Sequence, residues 1–432
     1  MPPPGGVRNL LRSLRHRNYR LFVAGQSVSL VGTWITRVAT GWLVYRLTGS
    51  ELLLGVVGFS GQIAMLVLSP MAGVIIDRYD RHKVMIWTQV LSLVQSGVLA
   101  VLTLSGVITV THIIVLQLLQ GVINSFDTPA RQAFVVQMVD DRADLSNAIA
   151  LNSTMVNGSR IAGPAIGGLI IAAVGEGWCF AVDSLSYAAV IWSLLAMRVA
   201  PVERAAHPVP LGEAFRTGFR YISEFAPVRA ALTLVSLVSL FGMPYVVLMP
   251  AVASRVLGGT ASTLGVLMAA SGVGAVGGAL YLASRTSVVG LGRHMALGTL
   301  TFGAALVAFA LSRHLALSLA IQVVAGAGFM IALAATNTVI QTLVPEDLRG
   351  RVMAFYATAF LGMAPVGSLA AGMVAERAGT TNTILGGGAV CAAAGLWFLR
   401  ALPELRAIVR PIYVERGILT VPVPPVEGQP EK

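Results

Sequence analysis

Long apolar runs dominate the amino-acid sequence, and each is about as long as a helix that crosses a bilayer. Such a helix needs roughly 20 mainly apolar residues, because the hydrocarbon core is about 30 Å thick and each residue rises about 1.5 Å. The runs are rich in Ala, Gly, Leu and Val and lack the alternation of membrane β-barrel strands. The sequence therefore predicts an all-α membrane protein with twelve transmembrane helices. The runs lie near 21–45, 54–76, 84–104, 112–132, 148–173, 178–197, 229–252, 262–283, 294–311, 315–342, 352–375 and 382–402.

The composition excludes several classes of protein. Only 11% of the 432 residues are charged and 56% are hydrophobic, whereas an ordinary soluble domain has about 25% charged residues. A soluble enzyme, a disordered chain and a nucleic-acid-binding protein are therefore excluded. Cys179 and Cys391 lie inside apolar runs, so we expect neither a disulfide framework nor a metal site. The sequence also lacks the common protease, hydrolase and nucleotide-binding motifs, so we expect no enzyme and no cofactor.

The basic residues are distributed unequally between alternate connections of the twelve runs. If the N-terminus is cytoplasmic, about 24 of the 30 Lys and Arg residues lie on the cytoplasmic side, which is the bias of the positive-inside rule. The net charge of +11 then reflects topology and contact with anionic lipid. We expect both termini to be cytoplasmic and no cleavable signal peptide. The opposite side receives Arg46, Arg255, Arg313 and Arg377.

The longest internal polar segment divides the runs into two sets of six. The fifth and eleventh runs each carry a proline, Pro164 and Pro365, which favours two related halves of the kind found in transporters. The predicted organisation is a cytoplasmic N-terminal segment (1–20), a six-helix bundle (21–197), a cytoplasmic linker (198–228), a second six-helix bundle (229–402) and a cytoplasmic tail (403–432).

A charged motif, G-V-I-I-D-R-Y-D-R-H-K, follows the second run from Gly73 to Lys83. The glycine permits close helix approach, and the aspartate can accept hydrogen bonds from a helix N-terminus or an arginine. The motif resembles G-x-x-x-D-R-x-G-R-R/K of the major facilitator superfamily, which implies a gating loop whose charge pairs form in one transport state and break in the other. The alternative is a basic loop that only sets topology. Gly73, Asp77, Arg78 and Arg81 match the motif, Asp80 replaces its second glycine, and His82–Lys83 occupy the final basic position.

The fifth run contains S-R-I-A-G-P-A-I-G-G, from Ser159 to Gly168. It resembles the antiporter motif of the same superfamily, G-x-x-x-G-P-x-x-G-G, which is associated with exporters. A Gly-Pro pair removes a backbone hydrogen bond and lets helices approach closely, so a packing kink is the alternative. In the fourth run, Gln117 stands where the family usually has an arginine tied to proton coupling, so that residue cannot carry the coupling here. The antiporter-like motif is matched by Gly163, Pro164, Gly167 and Gly168.

Three further stretches narrow the resemblance: Gly32 to Ser50, Phe126 to Gln132 and Val344 to Met353. They are similar to the enterobactin-exporter-like and macrolide-efflux-like branch, also called transmembrane secretion effectors. The resemblance, over roughly residues 10 to 405, implies a secondary transporter that exports a small organic molecule of drug or siderophore type across the bacterial cytoplasmic membrane. Proton antiport with alternating access is the expected mechanism. The alternatives are an uptake transporter or facilitator on the same fold, and a receptor or assembly subunit that does not transport.

Four ionisable residues stand out inside the runs, where a charge costs about 2.5–3.5 kcal/mol on insertion scales and usually marks a pathway. Arg37 and Arg160 are predicted to face a central cavity, where an acidic or oxygen-rich substrate, or Asp127, would neutralise them. Asp127 and Asp183 are the candidate proton carriers. Structural ion pairs are the alternative for both, and Asp127 shares a helix face with Arg131. The predicted pathway comprises Arg37, Gln117, Asp127, Arg160 and Asp183.

Overall fold

The computed structural model describes residues 12–139, 142–198, 211–285 and 287–419, and these residues are almost entirely helical. The twelve predicted spans become twelve long helices, and a thirteenth, α7, lies in the linker. The predicted linker (198–228), N-terminal segment (1–20) and tail (403–432) lie partly outside the described ranges.

The first half contains α1 (Arg17–Thr48), α2 (Glu51–Arg78), α3 (Arg81–Leu104), α4 (Val110–Gln137), α5 (Arg142–Val174) and α6 (Glu176–Leu195). The linker contains α7 (Leu211–Glu224), and the second half contains α8 (Ala226–Val256), α9 (Ala261–Ala283), α10 (Leu291–Leu311), α11 (Leu315–Leu343), α12 (Glu346–Ala378) and α13 (Thr380–Glu415).

Nine helices of the described chain are both long and apolar enough to cross a membrane. The other three, α1, α4 and α5, have 32, 28 and 33 residues, so they are not too short. They differ by carrying more polar and charged side chains. All three belong to the first half.

The helices alternate in direction, so their connections lie at two opposite ends of the bundle. We call the end that carries α7 and the start of α1 the linker end, and the opposite end the distal end. The distal end holds tight turns, such as Gly49 after α1 with a φ of 61° and Gly379 after α12 with a φ of 85°. These left-handed conformations suit glycine, which has no Cβ to clash with the backbone.

Each half is held together by packing of its own helices, and two helix pairs join the halves. Within the first half, α1 and α3 both pack against α6, and α2 packs against α4. Within the second half, α10 packs against α11 and α13, and α9 packs against α11. Across the interface, α5 packs along α9 and α2 packs along α12. This arrangement leaves α1, α4, α8 and parts of α2 and α12 around a central space.

Prolines shape the helices of the second half. In α8, π-helical turns at Val238–Gly242 and Val252–Val256 flank a short α-helical piece, Tyr245–Ala251. In α12, a π-helical turn at Thr358–Gly362 precedes Pro365. Proline lacks the N–H that closes an α-helical turn, and wider turns next to it accommodate the lost bond.

The last helix continues beyond the predicted span 382–402. Although proline disfavours a helix interior, α13 runs through Pro403 and Pro411 to Glu415. Leu402 and Tyr413 are buried against the second half. The guanidinium of Arg416 donates to the carbonyl of Thr342 at the end of α11. Tertiary packing therefore overrides the local preference of the two prolines.

Candidate functional site

A cavity of about 250 Å³ lies between the two halves, near the middle of the bundle. Its two walls differ in chemistry. Apart from Ser368, the second half contributes apolar side chains only, which are Met243, Val246, Val247, Pro250, Leu264, Met268 and Ala364. The polar side chains of the first half that line it are Thr33, Thr36, Arg37, Thr40, Gln62, Gln95, Gln117, Gln120, Asn124, Asp183 and Tyr187. The polar wall comes from the first half and the apolar wall from the second.

Two arginines share one tryptophan ring beside this cavity. Arg37 lines the cavity, whereas Trp34 and Arg160 are not among its lining residues, so the prediction that Arg160 faces the cavity is not confirmed. The guanidinium carbon of Arg37 lies 4.5 Å from the centre of the Trp34 ring, and that of Arg160 lies 5.8 Å from the same ring. Arg37 is exposed to the cavity, whereas Arg160 is half-buried near the phenol of Tyr245. The indole thus contacts two cations, one from α1 and one from α5. Cation–π contacts stabilise an exposed cation by about 0.5–1 kcal/mol and a desolvated one by about 2 kcal/mol.

Asp183 is the carboxylate of the cavity wall. It lies on α6 and is 2% exposed, with hydroxyl groups as its hydrogen-bond donors. Thr36 donates to Oδ2 over 2.8 Å, and Ser96 donates to the same oxygen over 3.2 Å. Among the described residues, no Lys, Arg or His lies within ion-pair distance of this carboxylate. Helix α6 also approaches α1 closely at this point. A Cβ atom added to Gly32 of α1 would lie only 2.7 Å from Asp183 Oδ1.

Asp127 lies outside the cavity and does not neutralise Arg37 or Arg160, so this expectation from the sequence was wrong. Its Oδ1 accepts from the Gln89 amide at 2.7 Å and from the Thr88 hydroxyl at 3.0 Å. Its Oδ2 lies 3.7 Å from Nε of Arg131, the i,i+4 pair that the sequence predicted. These contacts join α3 to α4, so the arrangement is that of a buried structural ion pair.

Amide side chains continue the polar wall along α4. Gln117 donates to the Thr40 hydroxyl over 3.4 Å, which links α4 to α1. Gln120 donates to the Ser92 hydroxyl over 3.2 Å and to Asn124 over 3.1 Å. Such amides offer both donors and acceptors to a bound molecule. The structure thus places Gln117 in the same cavity as Arg37 and Asp183.

The antiporter-like motif of α5 is a close-packing surface. A Cβ at Gly163 would clash with Trp34 on α1, and a Cβ at Gly168 would lie 2.8 Å from the Ala261 carbonyl oxygen and 3.1 Å from Gly265 Cα on α9. Gly167 faces Ile35 in the same way, and Pro164 lies between these positions. The small residues therefore hold α5 against helices of both halves at once.

A charged cluster that sequence reasoning did not identify joins the halves at the distal end. Arg255 Nη1, at the end of α8, lies 2.6 Å from Glu51 Oε1 at the start of α2, and Thr380 donates to the same oxygen over 3.2 Å. Glu376 accepts from the Ser50 hydroxyl at 3.0 Å and from the Leu52 N–H at 3.1 Å. Glu51 and Arg255 are 204 positions apart, so helical periodicity carries no signal for this contact. The cluster therefore links the two halves at the distal end.

The predicted gating loop is only partly described. Gly73, Asp77 and Arg78 lie in α2, but their side chains are outside the described part of the structure. Asp80 caps α3 by accepting from the His82 N–H at 2.9 Å. Arg81 is half-buried at the start of α3, whereas Lys83 is exposed. The loop thus lies at the linker end, opposite the charged cluster. Within the described ranges, no group of three His, Cys, Asp or Glu residues could hold a metal ion.

Twelve long helices in two halves around a central cavity define a multi-pass membrane transporter of the major facilitator type. A family model described as transmembrane secretion effector matches residues 10–412, so this chain belongs to that family of transporters, as the motifs indicated, and is not an enzyme. The chain is 25% identical over 393 residues to the staphyloferrin A transporter of Staphylococcus aureus, covering 90% of this chain and 97% of that protein. It is 29% identical over 367 residues to the multidrug efflux pump Tap of Mycolicibacterium fortuitum, covering 82% and 88% respectively.

The fold also matches solved structures. A bacterial homologue of the human lysosomal transporter Spinster, solved in an inward-facing and unoccupied conformation, superposes with a TM-score of 0.67. The match covers 97% of this chain and all of that chain at 14% identity. A peptide transporter, POT, superposes with a TM-score of 0.71 at 11% identity, covering 90% and 94%. At these identities the similarity shows the fold alone.

Proposed function

We propose that this protein exports a small organic molecule, of drug or siderophore type, across the bacterial cytoplasmic membrane by proton antiport with alternating access. The observation that carries the proposal is the central cavity between the halves, together with the Glu51–Arg255 ion pair that links the halves at the distal end. Membership of the secretion effector family and the similarity to efflux proteins support the direction of transport.

The orientation follows from the positive-inside bias of the sequence. With the linker end in the cytoplasm, the distal end and its Glu51–Arg255 pair face outward, and such a contact between the halves is what we expect of an inward-facing state that receives substrate from the cytoplasm. Opening the distal end requires separation of Glu51 from Arg255 and of α5 from α9. The loop from Gly73 to Lys83 would then latch the linker end in the outward-facing state. Both termini lie in the cytoplasm in this arrangement.

Asp183 is the better candidate for the proton carrier. It lines the cavity, and its hydrogen bonds come from hydroxyl groups, which can solvate either protonation state. An isolated carboxylate inside a membrane protein marks a proton pathway more often than a structural role. Asp127 already has an arginine and an amide as partners, so it is better suited to stabilising α4 against α3.

The test begins with a strain that lacks its major efflux pumps. Expression of the protein should lower susceptibility to at least one compound of a panel containing erythromycin, tetracycline and ethidium, or restore secretion of an iron chelator under iron limitation. Inverted and right-side-out membrane vesicles with an imposed proton gradient then establish direction. Accumulation in inverted, acid-inside vesicles supports export. Accumulation only in right-side-out vesicles would indicate uptake. If no vesicles show transport, and cells that express the Asp77→Ala variant behave like cells that express the unmodified protein, a receptor or assembly role is indicated.

A further inference from the structure

Arg37 and Arg160 are cations without anionic partners in the middle of a membrane protein. Neither guanidinium has an ion pair or a hydrogen bond with any described residue, and their recorded contacts are with the ring of Trp34. Their charges are also close enough to repel each other. Arg37 is exposed to the cavity and Arg160 is half-buried, and an ionisable side chain without a counter-ion inside a membrane protein is a candidate binding group by default.

Other arginines of the protein show what a structural role looks like. Arg46 makes two contacts with the carboxylate of Glu176, at 2.7 and 3.2 Å. Arg131 pairs with Asp127. Arg255 also lies over an aromatic ring, Tyr45, but it has Glu51 as its counter-ion. By comparison, Arg37 and Arg160 have the ring but lack the carboxylate.

The surroundings of the two arginines define what the missing partner is. Thr36 and Gln117 belong to the same wall and add neutral hydrogen-bonding groups. The opposite wall presents Met243 and Met268, whose flexible thioether side chains adapt to apolar groups of different shape. A molecule in this cavity therefore meets the Arg37 cation, the Asp183 carboxyl group and neutral polar side chains on one side, and an apolar surface on the other.

We propose that Arg37, Trp34 and Arg160 form the binding site for an organic dianion, a substrate with two carboxylate groups and an apolar body. The proposal rests on the proposed function and specifies the substrate class of the same cavity. Each guanidinium offers a planar pair of N–H donors that matches one carboxylate bidentately. Both guanidinium groups lie within about 6 Å of the centre of the Trp34 ring, at 4.5 and 5.8 Å, and the apolar body lies against Met243 and Met268.

A matched pair of probes tests the charge requirement. Benzylsuccinate carries two carboxylates on an apolar body, and its diamide has nearly the same size and shape without charge. Binding of each is measured by isothermal titration calorimetry on the purified full-length protein in lipid nanodiscs. We expect benzylsuccinate to bind and to raise the thermal midpoint of unfolding, because a ligand that binds only the folded state stabilises it. We expect the diamide to bind at least about tenfold more weakly, since it cannot form the charge-assisted hydrogen bonds.

Substitution of the arginines tests the site. Arg37→Gln and Arg160→Gln should each weaken benzylsuccinate binding by about tenfold or more, because each removes one charge-assisted pair. Arg37→Lys keeps the positive charge but loses the planar pair of N–H donors, so this variant should bind benzylsuccinate with intermediate affinity. The control is Arg313→Gln, which removes an equal charge from an exposed turn at the distal end, where the guanidinium contacts the Ala310 carbonyl. It should bind like the unmodified protein.

The outcomes separate this inference from the proposed function. Equal binding of acid and diamide, no binding of benzylsuccinate, or unchanged binding in Arg37→Gln and Arg160→Gln overturns the anion site. Unchanged benzylsuccinate binding in Arg37→Gln and Arg160→Gln, together with gradient-driven export of ethidium by the unmodified protein, would leave the export function standing while the anion site fails. Arginine-dependent binding of benzylsuccinate without gradient-driven movement in vesicles would instead contradict the export function and support the site. If a Gln variant does not fold, the affinity of the Arg37→Lys variant for benzylsuccinate still tests the site.

Discussion

The two walls of the central cavity are built by halves of the same architecture but differ in chemistry. The wall from the first half carries two charged residues, Arg37 and Asp183, together with five amide side chains. The wall from the second half is apolar except for Ser368. The same contrast is visible along whole helices, because the three long helices that are less apolar, α1, α4 and α5, all belong to the first half.

This contrast indicates a division of roles. Polar side chains are unfavourable in a membrane unless they bind a partner or carry out a function, so we expect substrate charge and proton exchange to involve that half. The apolar wall contributes shape and apolar contact, which tolerate variation. The close contacts of α5 with α9 and of α2 with α12 then connect the two halves mechanically.

The largest effect is expected from the carboxylate of the polar wall. Asp183→Asn preserves the size and hydrogen bonding of the side chain but removes its ability to exchange a proton. Gradient-driven accumulation in inverted vesicles should fall by about 100-fold or more, the order expected when a proton-transferring group is lost. Asp127→Asn is the matched control, because Asp127 lies outside the cavity and pairs with Arg131. Loss of coupling in Asp127→Asn but not in Asp183→Asn would reverse the assignment.

The next effect concerns the contact between the halves. A methyl group at Gly168 would press on the backbone of Ala261 and Gly265, so Gly168→Ala should destabilise the distally closed state by about 1–3 kcal/mol. In intact cells, a cysteine introduced at Val247 in the cavity wall should then react faster with an impermeant thiol reagent added outside. The native cysteines are both buried. Gly277→Ala on α9 is the control, since a Cβ there meets nothing within 4 Å. Equal labelling of the two variants would refute the role of this contact.

A smaller effect is expected at the charged cluster of the distal end. The Arg255 side chain is 58% exposed, so solvent screens its pair with Glu51, and we expect Glu51→Gln to favour distal opening by only about 0.5–1 kcal/mol. The Arg46–Glu176 pair has a similar distance, 2.7 Å, but lies within the first half. Arg46→Gln should therefore leave the rate of labelling at Val247→Cys unchanged. The same labelling experiment measures the effect of both substitutions. A stronger effect of Arg46→Gln than of Glu51→Gln would contradict the role of the Glu51–Arg255 pair in holding the distal end together.

The smallest effect is expected in the apolar wall. Met268→Ala removes part of an adaptable surface, so the affinity for an apolar substrate should fall by roughly 1 kcal/mol or less, while the dependence of transport on the proton gradient stays unchanged. The measurement is the substrate concentration at half-maximal transport, taken with and without the gradient. A change in coupling caused by Met268→Ala would contradict the division between the walls.

Most of the fold was predictable from the sequence, because a membrane-spanning helix follows from length and apolar composition alone. The same reasoning found Arg37 and Asp183, since charges inside apolar runs are conspicuous. The partners of these groups were not predictable. Periodicity places Asp127 on a face of α4 but does not show that Thr88 and Gln89 of α3 occupy the opposing position.

Contacts between distant segments account for the rest of what the sequence did not reveal. The pairing of Glu51 with Arg255 depends on how the two halves meet. The continuation of α13 through Pro403 and Pro411 depends on packing against the second half. In both cases tertiary structure, rather than local sequence, decides the outcome.

Substrate-induced proton movement tests the central claim most directly. Inverted vesicles are made acid inside and loaded with a dye whose fluorescence is quenched by the gradient, and the compound to which expression confers resistance is then added. The proposed function predicts that fluorescence recovers in vesicles with the unmodified protein, because protons leave as substrate enters. Recovery should be absent with Asp183→Asn and present with Asp127→Asn. Equal recovery with Asp183→Asn, or none with the unmodified protein, would contradict proton antiport through the polar wall.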